Sequence, residues 1–227
     1  MSPAVPAQTV PMKRRRAPSW LIAASLAVLA APAQAASLAA TVTDEAGRPL
    51  PDAVITLRFE AGGTPPSPAA AFSNSAEIDQ KDEAFIPTVV VIPIGGSVTF
   101  RNSDRTRHHI YSFSPIRRFE MVQSPNEVSA PVQFDQAGIA AIGCNIHDHM
   151  SAYVQVTDAP WAKVTDASGQ ARIDDLPTGR FVATVWHPRL RPRSEAPTST
   201  LVVHDAGETL TAVLSVLPAK RPRGRDY

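Results

Sequence analysis

The feature that most constrains this chain is the spacing of its apolar residues. After residue 35 they almost never recur at the three-to-four interval of an amphipathic helix. Short runs rich in Val, Ile, Thr and Phe are instead punctuated by Gly, Pro, Asn and Asp, as in "TVVVIPIGGSVTFRN" (88–102). Such texture predicts an all-β chain of the sandwich type. The 22 prolines spread over 227 residues reinforce it, because proline breaks a helix interior.

The first 35 residues are of another kind. "KRRR" at 13–16 precedes an apolar stretch, Leu21 to Ala31, that ends in the small-residue box Ala33-Gln34-Ala35. A basic start, a short apolar core and an A-x-A end predict a secretory signal peptide at 1–35. The stretch is shorter than the roughly 20 residues a membrane-spanning helix needs, so no stable span is expected after cleavage. The chain is therefore expected to be periplasmic or otherwise exported. Cleavage would remove four basic and no acidic residues, taking the formal charge from +1 to −3. That balance argues against nucleic acid as a partner.

Along the remainder, "LAATVTDEAGRPLPDAVITLRFE" (38–60) reads as two strands around the turn Asp44-Glu45-Ala46-Gly47. Residues 61–76 are rich in Pro, Ala, Gly and Ser and read as a linker. From 77 to 157 further strands are expected at "HHIYSFS", "PVQFDQAG", "IAAIGC" and "SAYVQVT". "SPIRRFEMVQSPNEVSA" (114–130) has no clear period, and its conformation stays open. Strand-and-turn texture resumes at 161–217, and the Pro-, Gly- and Arg-rich tail 218–227 is expected to be disordered.

"ATVTDEAGRPL" and "AKVTDASGQAR" share a V-T-D-x-x-G turn, and a lone two-stranded hairpin is marginal in water. Residues 37–60 therefore need other strands, and 161–217 supply the matching style. Together these segments, with the "DLPTGRF" stretch, resemble a carboxypeptidase regulatory-like domain, a small transthyretin-like β-sandwich. The resemblance implies one discontinuous domain with 77–157 inserted between its strands. The other arrangement open is sequential packing of the N-terminal hairpin on the central segment.

The chain holds one cysteine, Cys144, in "GCNIHDHM" (143–150), so no intramolecular disulfide is possible. In an oxidising compartment a free thiol must be buried, paired between chains or bound to metal. Alone, Cys144 would read as a small buried hydrophobe, Met150 as core filler and His147 as a surface residue. Their spacing, with His108 or His109 upstream, changes the balance. A thiolate, two imidazoles and a weak thioether make the donor set of a type 1 (blue) copper site. Structural zinc is the competing reading, but a thioether suits it poorly.

The flanks agree. "FIPTVVVIPIGGSVTFRNSDRTRHH" (85–109) and "FDQAGIAAIGCNIHDHMSAYVQV" (134–156) resemble the opening and closing parts of a cupredoxin, a Greek-key β-sandwich. The C-x2-H-x2-M loop resembles the plastocyanin/amicyanin-like type. The whole resembles exported proteins of the methylamine-utilization type. The resemblance implies one copper ion held by His108, Cys144, His147 and Met150, and one-electron transfer with an unidentified redox partner protein. Neighbours on a strand face opposite ways, so only one of His108 and His109 is expected to bind. Where cupredoxins read H-N-[VI], "HHI" aligns His108 with the ligand, and His109 is the alternative.

Asn102 is expected chiefly as a turn former, and His149 as a solvent-facing residue, with electron gating, second-metal binding or pH dependence as the other readings. Arg105, Arg107, Arg117 and Arg118 are expected to flank the first-ligand region as a solvated rim. Trp161 and Trp186 are expected in a core or interface, and His187 and His204 at strand ends. No nucleophile–base pair accompanies the copper residues, so an electron carrier is expected rather than an enzyme. The alternatives are a copper-storage or delivery protein, and a non-redox binding module with a vestigial loop.

Overall fold

A computed structural model of the protein describes residues 36–60, 72–191 and 194–219. The expected signal peptide, most of the linker and nearly all of the tail lie outside the described residues. The described chain is all-β, as the spacing predicts, and among the described residues no helix is long and apolar enough to cross a membrane.

The strands run in order β1 (Ala36–Asp44), β2 (Val54–Phe59), β3 (Ser75–Lys81), β4 (Ala84–Ile86), β5 (Val89–Pro93), β6 (Gly96–Asn102), β7 (His108–Ser114) and β8 (Arg117–Gln123). Then come β9 (Val132–Phe134), β10 (Gly138–Cys144), β11 (Ser151–Thr157), β12 (Trp161–Val164), β13 (Gln170–Leu176), β14 (Gly179–Trp186), β15 (Thr198–Val203) and β16 (Glu208–Leu214). They form four sheets, ordered β13-β1-β16, β12-β2-β14-β15, β5-β11-β10-β7-β8 and β4-β3-β6-β9.

The apolar side chains sort into two clusters. Alternate residues of β1 (Ala36, Leu38, Ala40, Val42), with Leu210 beside them on β16, face Ile55, Leu57, Trp161 and Phe181 in an outer core. Alternate residues of β6, β10 and β11 (Val98, Phe100, Ile142, Val154) build an inner core that also holds Cys144 and Met150. Period-2 alternation with one face buried is what fixes each register. The two sandwiches touch where the Tyr153 ring meets Trp186 edge-on, at 5.7 Å between centroids.

The structure corrects the expected N-terminal hairpin. β1 and β2 flank a turn but do not pair with each other; β1 pairs with β13 and β16, and β2 with β12 and β14. Fully buried Leu50 lies in the corner between them, so the chain crosses the outer core from one sheet to the other. The open segment 114–130 also acquires a definite form, because β8 pairs antiparallel with β7 from His108↔Gln123 to Ser114↔Arg117.

The repeated V-T-D-x-x-G turns are built alike. Asp44 Oδ1 accepts the backbone N–H groups of Ala46 and Arg48, and Asp166 Oδ1 those of Ser168 and Gln170. Gly47 and Gly169 both take a left-handed φ, +74 and +72. The turns meet where Val42 donates its N–H to the Gly169 carbonyl at 2.8 Å.

Candidate metal centre

His108 opens β7 on the face that buries Ile110 and Ser112, and it has no exposed surface. Cys144 ends β10 on the face that buries Ala140 and Ile142. The register pairs Cys144 with Ile110, so His108, two residues away on the same face, is its diagonal neighbour, within side-chain reach. The hairpin of β10 and β11 closes at Gly143↔Ser151. Continued one step outward, the same register sets Met150 opposite Cys144, and both are buried in the inner core. A turn in which the Met150 N–H donates to the His147 carbonyl (3.1 Å) returns the loop to the core and swings His147 over the thiol.

The result is a cluster of His108, Cys144 and His147 whose donor atoms all lie within 4.8 Å of one another. Cys144 Sγ is 3.6 Å from His108 Nδ1 and 4.0 Å from His147 Nδ1. An ion about 2.3 Å from sulfur and about 2.0 Å from nitrogen sets two such donors about 3.5–3.9 Å apart at tetrahedral to slightly wider angles. The cluster therefore fits one ion. Distance alone does not separate copper from zinc. The donor types do, since a thiolate with imidazoles and a buried thioether alongside suits copper in both oxidation states.

The outer nitrogen of His108 is also committed. Its Nε2 lies 2.9 Å from Asp104 Oδ2. Asp104 in turn accepts the backbone N–H groups of Asp82 (2.6 Å) and Glu83 (3.1 Å). Burial opposes ionisation of Asp104, but the Glu83 N–H, the His108 ring and the Asp82 N–H together hold its carboxyl below the ordinary value of 3.8. A carboxylate at Nε2 keeps the proton there and leaves Nδ1 free to face the thiol, the usual arrangement behind a metal-bound imidazole.

His109 points away from the cluster, with Nε2 2.6 Å from Glu120 Oε1 and Nδ1 3.5 Å from Asn145 Nδ2. Asn102 does more than turn the chain. Fully buried, it donates from Nδ2 to the carbonyls of Thr106 (2.9 Å) and Gln123 (3.2 Å), and its Oδ1 accepts the Asp104 N–H. It thereby braces the loop that carries Asp104 toward His108.

Arg105 and Arg107 lie in that loop and are exposed. Arg117 and Arg118 do not flank it. The β7–β8 hairpin carries them to its far end, six residues from His108 at about 3.4 Å each, so about 20 Å away. Trp161 is buried in the outer core. His187 is buried at the end of β14, and His204 is exposed after β15. Sequence reasoning missed Asp104 and Glu83. Asp104 carried a faint signal, as an acidic residue four before His108 in a turn-rich loop; Glu83 carried none.

No protein-family model matches the sequence, and no curated protein does. Among solved structures, the chain is similar to the Cu-containing nitrite reductase (NirK) from Thermus scotoductus SA-01, at 21% identity over 45% of this chain, with a TM-score of 0.34. The match spans only 25% of the reductase chain. It is similar to a purple cupredoxin from Nitrosopumilus maritimus (21% identity, 36% of this chain and 99% of that one, TM-score 0.32). It is also similar to amicyanin from Paracoccus versutus (21% identity, 41% and 96%, TM-score 0.34).

Proposed function

We propose that this protein is an exported one-electron carrier in which Cys144, His108 and His147, with the thioether of Met150 as the fourth donor, would hold a single type 1 copper ion. The observation that carries the reading is the buried triad of Cys144 Sγ and two imidazole Nδ1 atoms, with His108 locked from behind by Asp104. Copper bound there supplies a one-electron couple.

The chain's own residues supply the rest. The strand ends of β7 and β10 and the short 145–150 loop fix the donors before any ion arrives, which keeps rearrangement small. Burial of Cys144 protects the thiol from solvent oxidants. Of the three clustered donors, His147 is the one that reaches solvent, with 19% of its side chain exposed, beside half-exposed Ile146. That edge suits docking of a redox partner protein, and nothing in the arrangement calls for substrate turnover. We further assign 77–157 as a cupredoxin-like domain inserted into a regulatory-like sandwich made of 37–60 and 161–217. The separate inner and outer cores support that partition. The basic, apolar, A-x-A leader supports a periplasmic or otherwise exported location.

The test is the visible absorption and electron spin resonance spectrum of the chain from Ala36 onward with Cu(II), beside Cys144→Ser. An intense thiolate charge-transfer band with narrow hyperfine splitting, lost in the variant, is expected. An ordinary Cu(II) signal indifferent to Cys144→Ser would sink the reading.

A further inference from the structure

Only the inward Nδ1 of His147 faces the Cys144 thiol. Its outward Nε2 lies 3.8 Å from Glu83 Oε1, while the other oxygen of the same carboxylate lies 3.9 Å from His149 Nε2. Both separations exceed hydrogen-bond reach. They match instead the spacing of donors around a shared ion: an imidazole nitrogen and a carboxylate oxygen, each about 2.0–2.2 Å from a metal, lie about 3.4–3.9 Å apart. The imidazole rings of His147 and His149 are 6.0 Å apart and tilted, so the carboxylate has one on either side. Glu83 is held in this place because its backbone N–H is anchored on Asp104.

We propose that His149 and Glu83 form a second, exchangeable site for a divalent transition-metal ion at the mouth of the Cys144 cluster, joined by the outward Nε2 of His147 when that cluster is empty. Imidazole with carboxylate selects ions such as Zn(II) or Cu(II) over Mg(II) and Ca(II), which prefer all-oxygen shells. The site is open to water, with His149 49% and Glu83 40% exposed, so its ion exchanges readily. It has no thiolate, so it is the weaker of the two. When Nδ1 of His147 is engaged inside, its Nε2 keeps the ring proton. His149, Glu83 and water then hold the outer ion. When the inner cluster is empty, the proton can sit on Nδ1 and Nε2 becomes the third donor. The proposal rests on the functional reading only for that inward role of His147.

The experiment is calorimetric titration of the metal-free protein with Zn(II), for wild type, Cys144→Ser, His149→Asn and Glu83→Gln. The wild type is expected to show a tight and a weak step. Cys144→Ser should remove the tight step and strengthen the weak one, since Nε2 of His147 is then free to join. His149→Asn and Glu83→Gln should each weaken the second at least tenfold while leaving the first unchanged. A weak step unaltered by both rim variants, or absent from both wild type and Cys144→Ser, overturns the proposal. A weak step with the expected variant pattern and no tight step would support the outer site by itself, and the copper reading would still stand or fall on its own spectrum.

Discussion

Asp104 offers the sharpest test of how the centre is built. His108 has no exposed surface, and its Nε2–H has one acceptor, the Asp104 carboxylate at 2.9 Å. Asp104→Ala leaves that N–H, and those of Asp82 and Glu83, without their partner. One buried unsatisfied donor costs about 1–3 kcal/mol. Removing the outer partner of a metal-bound imidazole costs about 10–100-fold in affinity, or about 1.4–2.7 kcal/mol. The two scales agree on about 2 kcal/mol. Asp104→Asn should recover part of this, because its amide oxygen can take the Oδ2 place and accept from His108 and Glu83, while its NH2 group then meets the Asp82 N–H. It also removes the charge that keeps the His108 proton on Nε2 and off Nδ1. Copper affinity, measured by competition with a chelator, should fall about thirtyfold in Asp104→Ala and by a smaller factor in Asp104→Asn. An affinity within threefold of wild type in both would refute the claim that Asp104 orients His108.

Other outcomes follow from separate parts of the molecule. His187 donates from Nε2 to the Pro51 carbonyl (3.1 Å) and accepts the Arg189 N–H at Nδ1 (3.0 Å), an arrangement only the neutral ring can make. Burial, with help from the Arg189 charge and against the pull of the Pro51 carbonyl, lowers its pKa from 6.5 to about 4. Its contribution is therefore fully present above pH 6.5 and lost as pH falls toward 4, by about 2 kcal/mol after discounting for solvent screening. Urea midpoints should show this slope, and His187→Asn should flatten it. The lowered carboxyls of Asp44, Asp104, Asp158 and Asp166 lose their contributions only below about pH 3.8, outside that window. The matching glycine turns should respond unequally to alanine. At Gly47 a Cβ meets nothing within 4 Å, so Gly47→Ala costs only left-handed strain, about 1 kcal/mol. At Gly169 a Cβ would stand 2.5 Å from the Val42 carbonyl oxygen and 2.9 Å from the Leu50 nitrogen, so thermal unfolding of Gly169→Ala should show a loss of about 3 kcal/mol or more. His108→Ala should abolish the thiolate charge-transfer band, whereas His109→Ala should keep it, since that ring faces Glu120 on the other side of the strand.

The parts of the centre that were legible in the sequence are those fixed by local rules. Cys144, His147 and Met150 share one hairpin loop, where spacing alone sets which side chains converge. That only one of His108 and His109 can face the cluster follows from strand alternation, while the preference for His108 comes from the resemblance of "HHI" to the H-N-[VI] pattern of cupredoxins. Asp104 and Glu83 were hidden for a different reason. Their meeting requires β3 to lie parallel beside β6, with Gln80 opposite Asn102, so that the 82–83 turn reaches the 103–107 loop. No local period encodes a pairing across 22 residues, and three-residue β4 is too short to announce the hairpin. The crossing between β1 and β2 was obscured likewise, since turn residues mark where a chain bends but not which sheet it joins. The misplaced Arg117 and Arg118 trace to the β7–β8 hairpin, whose length turned nearness in sequence into distance in space.

The pairing of β1 with β16 has a consequence for the order in which the protein can assemble. The first described strand finds its parallel neighbour in the last, with Leu38 beside Glu208 and Asp44 beside Leu214. The inner core needs nothing beyond Thr157, so its strands can close while the rest of the chain is still being made. Until Leu214 arrives, the apolar face of β1 has no complete sheet around it, and contacts so distant in sequence are slow to form and open to misassociation. A chain truncated before β16 would thus carry a finished inner sandwich on an outer one that cannot close, and it would be the outer half that a protease or chaperone met first.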